Sequence, residues 1–200
     1  MQAKPALSAV PLHELIQNRW SPRAFAPDKA VQPDAVTALL EAARWAPSCF
    51  NDQPWRYLVC DSFRDRPAWE KMLSCLAEKN QAWAKNAPLL ILSIAMQHFG
   101  HNGNPNRWAA YDTGAASLSL CLQAQALGLA AHQMGGFDAD RCRALFNLPE
   151  ACTPMAVLAV GYQAEADSLP EDFRTGETAE RQRAALAEKF FFSEWGKAEN

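Results

Sequence analysis

The sequence lacks the short motifs that identify several large enzyme classes. It contains no GxGxxG fingerprint of dinucleotide-binding folds, no GxxxxGK[ST] phosphate loop and no GxSxG turn of serine hydrolases. Its six cysteines form no CxxC pair, which argues against a disulfide framework and favours a reducing, cytoplasmic compartment. The sequence therefore has no dinucleotide-fold fingerprint for NAD(P) or FAD and no P-loop.

Excess charge and long apolar runs are also missing. With 19 Lys and Arg against 22 Asp and Glu, the net charge is −3, which gives no general attraction to nucleic acid or to acidic membranes. The most apolar long stretch, 108–131, is interrupted by Asp112, Gln123 and Gln125 and favours a buried helix over a membrane span. The N-terminus has no apolar run of the signal-peptide type.

The composition predicts a folded chain. Hydrophobic residues make up 49% and charged residues 20% of the 200 residues, which is typical of one globular domain spanning 1–200. Apolar periodicity, prolines and glycines predict elements that do not alternate regularly, so we expect an α+β fold. Helices are predicted over 12–17, 33–46, 69–77, 107–127, 139–146 and 179–189, and strands over 55–60, 89–95, 130–134 and 155–161.

Two arginine clusters could hold an anion. Arg19, Ser21 and Arg23 follow the first predicted helix, and two guanidiniums beside a hydroxyl suit a phosphate. The same cations could instead complement the helix C-terminus. Arg181 and Arg183, far along the chain, could join them or form a solvated helix face.

Two loops could contact a flat heterocycle. Ser48, Asn51 and Gln53 lie between two prolines, where they could read a polar ring edge or serve only as turn residues. Gly135 and Gly136 would let a backbone approach a ligand closely, or they form a simple strand-to-helix turn.

The remaining candidates are weaker. The pair His98-x-x-His101 has no Cys or carboxylate at ligand spacing, so we predict a solvated loop and no metal site. Near the C-terminus, 190–192 are three consecutive phenylalanines and are followed by Trp195. Such a run cannot all face one small core, and we expect it to pack on another subunit.

Taken together, these segments resemble one family. The stretches RWSPRAF, EAARWAPSCFNDQPWRYLV, KNQAWAKNAPLLIL, AYDTGAASLSLCLQAQALGL, HQMGGFDADRCRALFNLP and ERQRAALAEKFFFSEWG have the order and spacing of FMN-dependent nitroreductases. The resemblance runs from residue 12 to 195, and RWSPR followed by APSxFNxQPW is its most specific part.

The resemblance implies a fold, a cofactor and a set of site residues. The implied fold is a mostly antiparallel sheet flanked by helices, in an intertwined homodimer whose C-terminal tails exchange between subunits. FMN would lie at the subunit interface, with the Pro47–Asn51 loop donated by the other subunit, Asn80 at the pyrimidine edge and the 135–136 backbone near N5. The implied cofactor-binding residues are Arg19, Trp20, Ser21, Arg23, Pro47, Ser48, Cys49, Asn51, Asn80, Gly135, Gly136, Arg181 and Arg183.

The family's chemistry implies an oxidoreductase. NADH or NADPH would reduce FMN, leave, and be replaced by a nitroaromatic, a quinone or a related small-molecule acceptor in a ping-pong cycle. Transfer of hydride to N5 needs no side-chain acid or base, so no catalytic side chain is expected. The alternatives are a flavoenzyme of the same fold with different chemistry (dehalogenase, dehydrogenase or flavin-fragmenting) and a non-enzymatic flavin-binding dimer. The family often has a larger residue at the position of Gly135, and it varies its substrate lid at 98–106.

Overall fold

One antiparallel sheet organises the protein. The computed structural model describes residues 3–198. Within that range the helices are α1 (Glu14–Asn18), α2 (Pro33–Arg44), α3 (Arg66–Cys75), α4 (Glu78–Ala84), α5 (Ala109–Ala126), α6 (Ala139–Phe146) and α7 (Glu171–Thr178). The strands are β1 (Trp55–Asp61), β2 (Leu89–Met96), β3 (Ala130–Met134) and β4 (Cys152–Gly161).

The strands lie in the order β1-β2-β4-β3, and every neighbouring pair is antiparallel. The predicted α+β class with an antiparallel sheet is therefore confirmed. Strand β2 is central and almost wholly buried, which explains its uninterrupted apolar sequence.

The two faces of the sheet carry separate hydrophobic cores. Alternate residues of β2 point to opposite faces, as strand geometry requires. Leu90 and Leu92 pack in one core with Trp69 and Trp83, whose helices α3 and α4 cover that face. On the other face Leu89 and Ile91 pack in a core formed chiefly with α2 and α5, which includes Leu39, Ala116, Leu120 and Ala124.

Local sequence signals set several element ends. Pro33 begins α2 at a position where its missing N–H costs nothing. The Asp138 carboxylate accepts a hydrogen bond from the Arg141 N–H and caps α6. Gly128, with φ of +70°, follows the end of α5 and turns the chain towards β3.

The C-terminal prediction is wrong. The helix lies at Glu171–Thr178, not at 179–189, and the later segment is extended except for a 3-10 turn at Leu186–Glu188. Pro170 and two acidic residues favour a helix start at 171, and the Phe173 side chain packs on the core. The short helix α4 escaped prediction because its N-cap, Ala77, supplies no side-chain cap.

No helix between residues 3 and 198 is both long enough and apolar enough to span a bilayer.

Candidate functional site

The first arginine cluster lies on a tightly held turn between α1 and the sheet. Beyond the turn, Ala26 N–H donates to Tyr162 O at 2.9 Å and Ala164 N–H donates to Ala24 O at 3.0 Å, which ties this segment to the end of β4. His132 of β3 lies on the inner side of the turn, with its Nδ1 3.0 Å from Pro22 O. A carbonyl oxygen can only accept, so Nδ1 carries the proton in this contact.

Burial keeps His132 neutral. Desolvation lowers its pKa to about 4, and the nearby Arg23 cation acts in the same direction. Its ring centroid lies 4.6 Å from that of Trp83, which in turn lies 6.0 Å from the Arg23 guanidinium carbon. The Arg23 side chain is thus stacked over an aromatic ring, with a neutral histidine beyond it.

The second arginine cluster meets the first in space, although about 160 residues separate them in sequence. The Arg181 guanidinium donates to Lys4 O at 3.0 Å and to Gln17 O at 2.7 Å, which brings the tail against the end of α1. Burial lowers the pKa of Arg181, and the charges of Arg19 and Arg183 lower it further. The Lys4 ammonium is 4.4 Å from the centroid of the Trp20 ring.

Positive charge is concentrated at this corner of the molecule, called the cationic corner, which is formed by Arg19, Arg23, Arg181 and Arg183. Across residues 3–198, no carboxylate oxygen lies within 4.0 Å of the guanidinium nitrogens of Arg19, Arg23, Arg181 or Arg183. One carboxylate, that of Glu177, lies at this turn, where it accepts from backbone N–H groups, so the positive charges still outnumber the negative ones and favour a bound anion. The arrangement fits a dianionic ligand group such as a phosphate.

The second part of the candidate site is a wall formed by Asn80 and Gly136, called the Asn80–Gly136 wall. Asn80 Nδ2 donates to Gly136 O at 2.9 Å, and the Ala77 N–H donates to the same oxygen at 3.0 Å. A Cβ at position 136 would lie 2.8 Å from Asn80 Nδ2 and would displace that side chain, whereas a Cβ at Gly135 would meet nothing within 4 Å. An adjoining cavity of about 510 Å³ is lined by Ser74, Cys75, Leu76, Ala77, Gly135, Gly136, Phe137, Asp138 and Arg141.

Helix α4 and strand β3 connect the arginine clusters to the Asn80–Gly136 wall. Asn80 and Trp83 are one turn apart on α4, and His132 precedes Gly135 by three residues, or about 10 Å along a strand. The cationic corner and the Asn80–Gly136 wall are therefore spaced for an elongated ligand with an anionic end and a flat end.

The loop at 47–54 is held in a strained conformation. Phe50, Asn51 and Gln53 have φ of 54°, 55° and 50°, values that non-glycine residues rarely adopt. Gln53 N–H donates to Ser48 Oγ at 3.0 Å, and Cys49 N–H donates to Asp112 Oδ2 at 3.0 Å. Strain that is held by surrounding bonds is a common property of binding loops.

This loop does not reach the other site residues within one chain. Asp112, which binds it, lies in the first turn of α5, whereas Trp20 lines a cavity with Gln125 near the end of that helix. Thirteen residues of helix span about 20 Å. The structure thus brings together Arg19, Trp20, Arg23, Arg181 and Arg183, places Asn80 with Gly136, and leaves Pro47, Ser48, Cys49 and Asn51 apart.

The histidine pair is part of the neighbouring loop. His101 Nδ1 lies 3.8 Å from Asp52 Oδ1, and its ring contacts those of Phe50 and Phe99. Over residues 3–198 no three His, Cys, Asp or Glu side chains are grouped so that they could hold a metal ion.

The six cysteines are all free thiols, and five of them are buried. Burial raises the pKa of Cys60 to about 12 and that of Cys121 to about 11. These thiols are therefore protonated at neutral pH and poor nucleophiles.

Some residues of the site gave no clear sequence signal. Glu177 is fully buried and accepts hydrogen bonds from the Arg23 and Ala24 N–H groups, yet its sequence neighbours, Gly176 and Thr178, suggest an exposed helix end. Trp83 reads as an ordinary core residue. Asp112 could have been suspected, because it is a lone carboxylate in an otherwise apolar helix.

The chain is similar to several known proteins. A family model described as the nitroreductase family matches residues 16–162. A crystal structure described as an oxidoreductase containing FMN is 34% identical, covers 98% of both chains and has a TM-score of 0.90. A putative nitroreductase in complex with FMN, from Desulfovibrio desulfuricans, is 27% identical over 91% of this chain and 96% of that one, with a TM-score of 0.71.

A curated relative is similar at lower coverage. The putative NADH dehydrogenase/NAD(P)H nitroreductase of Methanothermobacter thermautotrophicus is 29% identical over 163 residues, which cover 80% of this chain and 81% of the relative.

Proposed function

Since the chain belongs to the nitroreductase family, we propose that it is an FMN-dependent oxidoreductase in which NADH or NADPH reduces the flavin. The reduced enzyme then passes electrons to a nitroaromatic, a quinone or a related small-molecule electrophile. One observation carries this proposal: four arginines whose guanidinium groups have no carboxylate partner in residues 3–198 are connected to the Asn80–Gly136 wall by α4 and β3.

The residues present fit FMN better than FAD or NAD. A terminal phosphate carries a charge of about −1.5 to −2, which the arginine cluster would neutralise. Arg19, Ser21, Arg181 and Arg183 would bind the phosphate and ribityl chain. A dinucleotide would need its pyrophosphate held at a glycine-rich turn, which the sequence lacks.

The other proposed contacts concern the ring. Arg23 would lie at the pyrimidine edge, where a cation stabilises the anionic reduced ring. Asn80 Nδ2 is already bonded to Gly136 O, which leaves its Oδ1 to accept from a ring N–H. The backbone at 135–136 would face N5.

When bound, FMN supplies the chemistry of accepting a hydride at N5 and returning it to an acceptor. The protein's own part is to bind, orient and shield. The cavity of about 510 Å³ beside Gly135 and Gly136 would admit the nicotinamide first and the acceptor afterwards. One space serving both substrates in turn implies ping-pong kinetics, and it requires no side chain to move a proton during hydride transfer.

We also propose that the working unit is a homodimer. The chain exposes 11654 Å², whereas a compact monomer of this mass would expose about 9,300 Å². Tyr111 is 75% and Leu118 49% exposed on α5, and Gly114 and Ala126 share that face, so two helices could approach closely. A second copy packed here would supply the 47–54 loop that one chain keeps away from its own arginines.

The tail would complete the interface. Leu186, Phe190, Phe192 and Trp195 are exposed, and Trp195 most of all at 92%. Apolar side chains in this number are stable in water only when another surface covers them. We propose that the tail wraps the partner subunit, that 1–200 forms one FMN-binding domain, and that the free thiols fit a cytoplasmic location.

The decisive experiment uses the purified protein as isolated. Mass spectrometry of the released cofactor should identify FMN. Anaerobic titration with NADH and NADPH should bleach the flavin absorbance, and addition of a quinone should restore it. FAD, or well-folded protein without flavin affinity, would refute the cofactor. Bleaching that no quinone or nitroaromatic reverses would favour other flavin chemistry on this fold.

A further inference from the structure

A buried carboxylate on α7 binds the turn at 19–24 that carries the first arginine cluster. Glu177, in the last turn of α7, has no exposed surface. Its Oε1 accepts from Arg23 N–H at 2.9 Å and from Ala24 N–H at 3.1 Å, and its Oε2 accepts from Arg23 N–H at 3.0 Å. A charged group is retained in such a place only when hydrogen bonds offset its desolvation.

These bonds restrict Arg23 at both its backbone and its side chain. The carboxylate fixes the Arg23 N–H, while the Arg23 guanidinium carbon lies 5.9 Å from the Phe173 ring centroid. Phe173 and Glu177 are four residues apart, so they lie on the same face of α7. Helix α7 therefore fixes the Arg23 backbone and, together with Trp83 of α4, sets the direction in which the Arg23 side chain leaves the turn.

The same turn is held from the opposite side by β3, through the His132 contact to Pro22 O. The turn thus has two fixed points on consecutive residues, one from the sheet and one from α7. Only the contact from α7 involves the C-terminal part of the chain. Four residues after Glu177, Arg181 binds Lys4 O and Gln17 O, so this part of the chain is attached near the same turn.

We propose that Glu177 is a positioning residue for the cofactor. It acts through the acceptor oxygen Oε1, which holds the Arg23 backbone so that the guanidinium meets the pyrimidine edge of the ring. The turn at 22–24 therefore has its cofactor-binding conformation only when α7 is docked, and the docking of α7 also brings Arg181 and Arg183 into place. This inference rests on the proposed binding of FMN.

Two substitutions separate the acceptor oxygen from the charge. Glu177→Gln removes the charge and keeps an oxygen at the position of Oε1, which makes two of the three contacts, but it places an NH2 group, which cannot accept, opposite the Arg23 N–H. Glu177→Asp keeps the charge but withdraws it by one methylene, about 1.5 Å, beyond reach of both N–H groups. The matched controls are Glu171→Gln and Glu171→Asp, in the exposed first turn of the same helix.

The measurement is titration of apoprotein with FMN, followed by flavin fluorescence, together with visible circular dichroism of the bound flavin. We expect Glu177→Gln, which loses one of the three acceptor contacts, to lose less than about 10-fold in FMN affinity and to keep the wild-type dichroism. We expect Glu177→Asp to bind about 10-fold or more weakly, with altered dichroism, and both Glu171 variants to match the wild type.

Other results would overturn the inference. If Glu177→Asp binds FMN like the wild type, the carboxylate does not position the turn. If both Glu177 variants weaken binding equally and melt equally early, its role is general stability. If Glu177→Asp fails to fold, Glu177→Gln decides alone: wild-type dichroism with less than about 10-fold loss of affinity supports the inference, and a larger loss or an altered dichroism refutes it. Wild-type apoprotein without affinity for FMN would refute the proposed function as well.

Discussion

Asn80 and Gly136 are in direct contact, so a side chain added at 136 would displace the Asn80 amide. The amide of Asn80 donates to the Gly136 carbonyl at 2.9 Å, and the space in which a Cβ would stand at 136 is filled by Asn80 Nδ2 at 2.8 Å. Two residues that are 56 positions apart in sequence thus form one surface, and the next residue, Gly135, faces open space.

The first prediction uses this contrast. Gly136→Ala should push the Asn80 side chain away and break its hydrogen bond, which costs about 0.5–1.5 kcal/mol. We expect a lower melting temperature and a loss of FMN affinity of about 3–10-fold, by thermal unfolding and flavin titration. Gly135→Ala, whose added Cβ would meet nothing within 4 Å, is the comparison for stability and should leave the melting temperature unchanged. An equal fall in melting temperature for the two substitutions would contradict the assigned wall.

A second prediction concerns the arginine cluster. Replacing Arg19 or Arg183 with Ala removes a charged hydrogen-bond partner of the phosphate. Such a loss costs about 1.5–3 kcal/mol, or about 10–150-fold in FMN affinity. The effect should shrink at high salt, where exposed charges are screened. Arg66→Ala, on the surface of α3, is the control. Retention of FMN by both cluster variants would show that the phosphate lies elsewhere.

A third prediction concerns assembly. Leu118→Lys puts a charge on the exposed face of α5, so we expect it to favour a 22.1 kDa monomer and to weaken FMN binding in parallel. The control is Phe63→Lys, just after the edge strand β1, where the side chain is 51% exposed and lies outside α5. We expect this variant to remain a dimer. Light scattering on line with gel filtration measures both. A wild-type monomer that retains flavin would refute the interfacial site.

The fourth prediction concerns pH. Burial lowers the pKa of His132 from 6.5 to about 4, so the folded state holds this ring neutral where the unfolded chain would protonate it. The contribution to stability is complete above pH 6.5 and is lost as the pH falls from 6.5 towards 4. The difference corresponds to about 3 kcal/mol.

His132→Asn tests this, because the Asn amide can replace the Nδ1–H donor to Pro22 O but does not titrate. We expect the wild type to lose more stability than the variant between pH 6.5 and 4 in denaturant unfolding. His98→Asn, on the exposed loop, should behave like the wild type. Identical pH profiles for the wild type and His132→Asn would contradict the low pKa.

The fifth prediction concerns the thiol in the 47–54 loop. The chain neighbours of Cys49, Ser48 and Phe50, are not bases, and within residues 3–198 its Sγ makes no hydrogen bond to a His, Asp or Glu side chain. Cys49→Ser should keep most NAD(P)H-dependent quinone reduction, with parallel double-reciprocal plots. A flavin-loaded variant that is reduced by NAD(P)H but cannot pass electrons on would instead indicate thiol chemistry in the second half-reaction.

The sequence predicted the parts of the fold that depend on local signals. The apolar run of β2 predicts a strand because a strand buried on both faces needs apolar residues throughout. Pro33 predicts the start of α2 because its fixed φ suits the first helical position. Strand β3 and helix α6 have the predicted limits, Ala130–Met134 and Ala139–Phe146. The family resemblance is confirmed by the family model, while the roles of the individual site residues stay predictions.

What could not be predicted depends on contacts between distant segments. The charged segment at 179–189 looks helical, but Arg181 gains more by binding carbonyls near α1, and the chain stays extended. Nothing local shows that Glu177 is buried or that Phe50 adopts a positive φ without a glycine. Each of these states is imposed by partners dozens of residues away.

The separation of the 47–54 loop from the arginine cluster, at opposite ends of α5, has a genetic consequence. If each site combines the cluster of one subunit with the loop of the other, a chain damaged only in the loop and a chain damaged only in the cluster are both inactive alone. Mixed together, they form heterodimers in which one site inherits both defects and the other inherits none. Random pairing would leave about one site in four intact, so two null alleles would complement each other.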